Sequence, residues 1–196
     1  TGTFTVQVRA IDDSLNIQNP VTTRSFTITT TTSGSSVTVF PASSVPAVAS
    51  NNDPGAVELG MKFRSDVAGQ VTGVRFYKGT GNTGTHVGKL WTATGTLLGS
   101  VTFTNETATG WQQANFATPI NIAANTTYVI SYNAPQGRYA INSNFFSTAA
   151  VNAPLRGLQS GTDGLNGVYR YGTGNIFPDQ SWQASNYWVD VVFRIP

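Results

Sequence analysis

From Val57 to Phe63 the apolar side chains Val57, Leu59, Met61 and Phe63 fall at every second position, with Glu58 and Lys62 between them. Successive side chains of an extended chain point to opposite faces, so a period of two sends one face into a core and leaves the other to polar neighbours. Further runs of strand character follow at 71–77, 87–92, 97–103, 112–116, 127–132 and 187–195. Turn chemistry separates nearly all of them: Gly79-Thr80-Gly81-Asn82, Thr94-Gly95, Thr109-Gly110, Asn125-Thr126 and Pro135-Gln136-Gly137. No stretch carries a sustained helical repeat. Short strands without helices bury their apolar faces by stacking sheet on sheet, so the expected fold is all-β, a jelly-roll type antiparallel β-sandwich.

The chain is organised in three parts. Phe4-Thr5-Val6-Gln7-Val8-Arg9-Ala10 alternates as a half-buried strand, Asp12 to Asn16 reads as a turn, and Arg24 to Ile28 reads as a returning strand. This pair resembles the last two strands of an immunoglobulin-like or cadherin-like repeat, a sandwich that needs about 100 residues when complete. A two-strand hairpin has nothing to cover its apolar face, so residues 1–28 are expected to pack on a neighbour or on another chain. Residues 29–36, Thr-Thr-Thr-Thr-Ser-Gly-Ser-Ser with its first Thr at position 29, suit a linker, and 37–196 form the sandwich domain. Because the chain opens in mid-pattern at Thr1-Gly2-Thr3-Phe4, it is expected to be a piece of something longer.

Composition narrows the function classes. Charged residues are 10% of the 196, and the net charge of +2 draws no electrostatic footprint for nucleic acid. Solubility therefore rests on Thr, Ser, Asn and Gly, a surface common among extracellular and cell-surface β-proteins, so secretion is expected. The absence of cysteine excludes disulfides, zinc-thiolate sites and a thiol nucleophile. No apolar run approaches the roughly 18 residues that span a bilayer.

Several motifs resemble the bacterial domain of unknown function 4082. They are Val57-Glu58-Leu59-Gly60-Met61-Lys62-Phe63, Arg75-Phe76-Tyr77-Lys78-Gly79, the stretch from Asn82 to Trp91, Gly110-Trp111-Gln112 and Asn186-Tyr187-Trp188-Val189-Asp190-Val191, spread over roughly residues 37–195. The resemblance implies a large secreted bacterial protein in which such domains stand beside immunoglobulin-like repeats. It implies no chemistry.

Four groups of residues are candidate sites. His86 is the sole histidine and the only possible base of a serine triad, but no Gly-x-Ser-x-Gly elbow accompanies it, and the plainer reading is a side chain that fixes its loop. Glu58 and Glu106 are the only glutamates, and Glu106, ahead of a Thr-rich turn, is expected in solvent. Glu58 and Asp190 lie on an early and a late strand; if the terminal strands pair, they and the loop containing Asp53 could hold calcium through oxygen ligands. The rival reading pairs these acids with Arg64, Arg75 or Arg194. Finally, the loop-like stretch from Val168 to Trp182 is rich in aromatic rings. Tyr169, Tyr171 and Trp182, with Trp111 as a further candidate, could stack on sugar rings, or the loop could pack its own rings inward.

The expected function is a non-catalytic extracellular module that binds a polymer such as a polysaccharide by stacking and hydrogen bonding. The alternative is an assembly subunit of a fibre or surface layer, self-associating through Phe4 to Ile28. A glycan hydrolase would need paired carboxylates that nine acidic residues scarcely supply.

Overall fold

A computed structural model describes residues 2–8, 22–28 and 34–195, and the chain divides into two units, 1–34 and 35–196. In the first, β1 (Gly2–Val8) and β2 (Thr22–Ile28) form an antiparallel pair with Gly2 opposite Ile28 and Val8 opposite Thr22. The turn expected from Asp12 to Asn16 and most of the linker lie outside the described residues.

The second unit is a sandwich of two antiparallel sheets. Its strands are β3 (Val57–Ser65), β4 (Gly69–Lys78), β5 (Val87–Thr92), β6 (Leu97–Thr102), β7 (Gly110–Ile122), β8 (Tyr128–Ala134), β9 (Ala150–Asn152), β10 (Leu155–Gly157), β11 (Val168–Tyr171), β12 (Gln180–Ser181) and β13 (Val189–Arg194). The larger sheet runs β12-β11-β3-β8-β5-β6, with β10 also on β3 and β9 on β10; the smaller runs β13-β4-β7. The chain passes between sheets at β3 to β4, β4 to β5, β6 to β7 and β7 to β8, so neighbours in sequence face each other across the core.

The alternation of β3 survives intact: Val57, Leu59, Met61 and Phe63 are each at most 1% exposed in the core. They meet Val74 and Phe76 of β4, Ile130 and Tyr132 of β8, and Val189, Val191 and Phe193 of β13. Removing each such side chain from water stabilises the fold by about 1.5–3 kcal/mol. On β4 the strict alternation fails, because the register shifts between Val71 and Gly73 and lets Val71 and Val74, an odd number of positions apart, both face inward. Gly73 suits the shift, since a Cβ there would lie 2.4 Å from the Ala114 carbonyl oxygen.

The outer faces are covered as well. Pro178 and Phe177, in the stretch between β11 and β12, lie over the larger sheet, Pro178 against Gly60 and Phe177 edge-on to Trp91. Trp91, Val129 and Val168 form a second small core beneath them. Over the smaller sheet lies the stretch from Val37 to Ser44, bridged to Phe193 by paired backbone hydrogen bonds and capping Trp111.

The terminal strands of the sandwich do not pair, contrary to the assumption behind the calcium site: β3 and β13 belong to different sheets. Because Glu58 and Asp190 alternate with core residues of their own strands, they point outward on opposite faces of the sandwich. The Val168 to Trp182 stretch is also not all loop, since β11 and β12 form its two arms.

Candidate functional site

Asp190 is fully buried and its carboxylate is saturated with donors. Oδ1 accepts the N–H groups of Val39 and Val191 at 2.9 and 2.8 Å, and Oδ2 accepts Phe40 N–H at 2.9 Å and the Arg75 guanidinium at 2.7 Å. Arg75 also donates to the Phe40 carbonyl and lies 4.1 Å from the centroid of the Trp111 ring. Both carboxylate oxygens already face N–H donors, so a cation finds no ligand there. Glu58 is spent in another way: Lys89 Nζ donates to Oε2 at 2.5 Å and Ser131 Oγ to Oε1 at 2.6 Å, while Trp91 Nε1 donates to Ser131. Burial pushes the Glu58 carboxyl up to about 7 against the opposing pull of Lys89 and Ser131. The pair on Arg75 is among the rivals the sequence offered; Lys89 is not. Among the described residues no group of three or more His, Asp or Glu side chains is arranged to hold a metal. Trp111 is likewise corrected: it packs on Phe40, Tyr77 and Trp188 and donates to Ser44, away from the other ring candidates.

His86 is buried with both ring nitrogens engaged, Nδ1 with Glu106 at 2.8 Å and Nε2 with Asn82 at 2.8 Å. Burial lowers its pKa, and the pull of Glu106 does not restore it. No nitrogen is left to activate a nucleophile. Glu106, expected in solvent, instead joins His86 to Lys78, whose Nζ donates to it at 2.7 Å.

The remaining candidates come together. Tyr169 and Tyr171 of β11 pair with Leu59 and Val57 of β3, which puts their rings on the inward side of the larger sheet at its open margin. There Tyr169 meets Tyr171 and Tyr187 edge to face, at 5.7 and 6.3 Å, and Tyr187 meets Tyr139 at 5.6 Å. Asp53 closes the circuit, its Oδ2 accepting the hydroxyls of Tyr139 and Tyr171. The result is a cleft of about 340 Å³ lined by these rings, Asn51 and Trp182.

Local sequence explains the construction. Asp53-Pro54-Gly55 is a turn in which Asp53 Oδ1 accepts Gly55 N–H at 2.9 Å. The Asp53 carbonyl accepts Arg138 N–H at 2.7 Å, and Gly137 backs onto it so closely that a Cβ would lie 2.1 Å from that oxygen. Burial raises the Asp53 pKa, but the Tyr171 hydroxyl, Gly55 N–H, Tyr139 hydroxyl and the charge of Arg138 outweigh it, leaving the carboxyl below its ordinary value. Tyr139 and Tyr187 form a buried floor, whereas Tyr171 and Trp182 are 53% and 58% exposed. Trp182 stands on a turn whose next two residues, Gln183 and Ala184, have φ of 49° and 46°. Left-handed conformations cost non-glycine residues free energy and persist only where surroundings enforce them. Here Asn144 and Phe146 donate backbone N–H groups to the Gln183 and Ala184 carbonyls, each at 2.8 Å. Tyr139 and Tyr187 went unrecognised in the sequence, since each lies in a connection whose partners come from distant segments.

No curated protein matches the chain. The model of the "Domain of unknown function (DUF4082)" matches residues 43–189, which contain every residue of the cleft, and the chain belongs to that family.

Proposed function

We propose that this domain is a non-catalytic module of a secreted bacterial protein that binds a carbohydrate polymer in the tyrosine-lined cleft. The observation that supports the reading most is the exposure of Trp182 and Tyr171 at the mouth of a cleft that also holds a carboxylate and an amide. A half-exposed Trp182 beside an enforced left-handed turn returns little stability through burial, which fits a receptor for the flat C–H faces of sugar rings. Asp53 and Asn51 supply hydrogen bonding to hydroxyls. Polymer binding needs no turnover, and the buried His86 and Glu58 and the partly buried Glu106, all engaged with partners, fit structural roles.

The test is titration of the domain with soluble oligosaccharides alongside Trp182→Ala and Tyr171→Ala. Central aromatic contacts typically cost 2 kcal/mol or more on truncation, so each variant is expected to bind at least about tenfold more weakly. Unfolding free energy should stay within about 0.5 kcal/mol of wild type for Trp182→Ala and fall by about 1 kcal/mol for Tyr171→Ala, which loses its bond to Asp53. Unchanged affinity in both variants, with the fold intact, contradicts the reading.

The antiparallel pair β1 and β2 favours a second reading, in which residues 1–28 are the last strands of an immunoglobulin-like repeat that pairs with another chain in a fibre or surface layer. Concentration-dependent polymers that vanish on deletion of 1–28 would support it.

A further inference from the structure

The cleft carboxylate differs from the other acids in one respect. Every other described acid is ion-paired: Glu58 with Lys89, Asp66 with Arg156, Glu106 with Lys78, Asp163 with Arg64, Asp179 with Arg170 and Asp190 with Arg75. Asp53 alone among them has no basic side chain of the described residues within salt-bridge distance. Its partners are the neutral hydroxyls of Tyr139 and Tyr171 and one backbone N–H, which leave room on Oδ1 for another donor. The bases nearby are directed elsewhere, Arg138 to the side chain of Asn52 and Arg170 to Asp179, and neither lines the cleft.

Around this carboxylate, which feels the charge of Arg138 but forms no ion pair with it, stand tyrosine rings and Trp182. Aromatic faces carry partial negative charge, and a carboxylate beside several of them attracts an ammonium group both through the ring quadrupoles and through a charge-assisted hydrogen bond. A uronate or sulfated sugar would place its anion against Asp53 with no cation to receive it.

We propose that the cleft selects glycans carrying a free protonated amine, a hexosamine polymer, with the ammonium on Asp53 Oδ1 and the sugar ring against Tyr171 and Trp182. This rests on the carbohydrate-binding reading of the same cleft.

The test titrates the full chain with oligomers of glucosamine, of N-acetylglucosamine and of galacturonic acid, at a pH where the amine is protonated. Glucosamine oligomers are expected to bind about tenfold tighter than the N-acetyl form, as a charge-assisted bond requires. Asp53→Asn should erase that preference, bringing the glucosamine and N-acetylglucosamine affinities within about twofold of each other, whatever both lose in common. Equal or tighter binding of the N-acetyl or galacturonate oligomer overturns the amine specificity and leaves the carbohydrate reading standing. Binding of none of the three overturns both. Should Asp53→Asn loosen the fold, salt decides with the wild-type chain: glucosamine affinity must fall with ionic strength while N-acetylglucosamine affinity does not, and a flat response overturns the proposal.

Discussion

Lys89→Met is expected to lower the unfolding free energy at neutral pH by about 3–5 kcal/mol, while Glu58→Met with Lys89→Met recovers most of that loss. The single change leaves a 0% exposed carboxyl with only Ser131 still donating to it, so at neutral pH it must either stay charged without a partner or take up a proton. The double change replaces two charges by apolar groups of similar volume beside Trp91, Val129 and Phe177, where little water reaches. Proton linkage gives the pair a direction in pH. The Glu58 pKa rises on folding from 4.5 to about 7, so the folded state holds the extra proton between those values. Its contribution to stability is therefore complete below the unfolded pKa and is lost as pH rises through about 7. Urea unfolding should show stability falling with pH across that window in the wild type, a fall that continues above it in Lys89→Met, and a smaller fall than either in the double variant. A double variant as unstable as the single one would show that the pair holds the fold together by itself.

The second buried pair should behave in the opposite way. Asp190→Leu is expected to cost about 4 kcal/mol or more, and Arg75→Met in the same chain should not restore it, because buried N–H groups left without acceptors cost about 1–3 kcal/mol each. The acceptor removed serves Val39, Phe40 and Val191 as well as Arg75. Asp190 thus anchors the covering stretch over the smaller sheet, whereas Glu58 answers to a lysine and a serine. Thermal melting of the Asp190→Leu, Arg75→Met double variant decides the point. A wild-type midpoint would mean that the covering stretch finds other acceptors and that the carboxylate is dispensable.

The strands that alternate strictly could be read directly. β5 begins and ends where the sequence places it, and β3 extends its expected run by two residues, its period of two surviving although its outer face is largely covered as well. β11 and β12 were not legible as strands, since Tyr169 and Tyr171 lie at a margin where rings face a cleft, and no period distinguishes that from a loop packing on itself. The bulge on β4 was hidden for a similar reason: Val71 and Val74 face the same core across an irregularity that a fixed period cannot represent. Three rings of the cleft were nevertheless found, because bulky aromatics among Gly, Asn and Ser have few uses other than burial or ligand contact. Its carboxylate, Asp53, was noticed for a different chemistry. Trp111 shows the limit of that logic, as an aromatic on a polar phase of its strand turned out to be covered by a distant stretch of chain.

The two exposed rings of the cleft flank the span that covers the larger sheet: Tyr171 ends β11 immediately before it, and Trp182 follows β12 immediately after. That span guards a small satellite core rather than the main one, so it can open as a local unit while the rest of the sandwich stays shut. A ligand gripping both rings fastens both ends of the span, and each opening must then break the grip. Amides between Gly172 and Asp179 would exchange with solvent more slowly in the bound state than in the free one. Recognition at the margin of the sheet would thereby be converted into rigidity on its outer face.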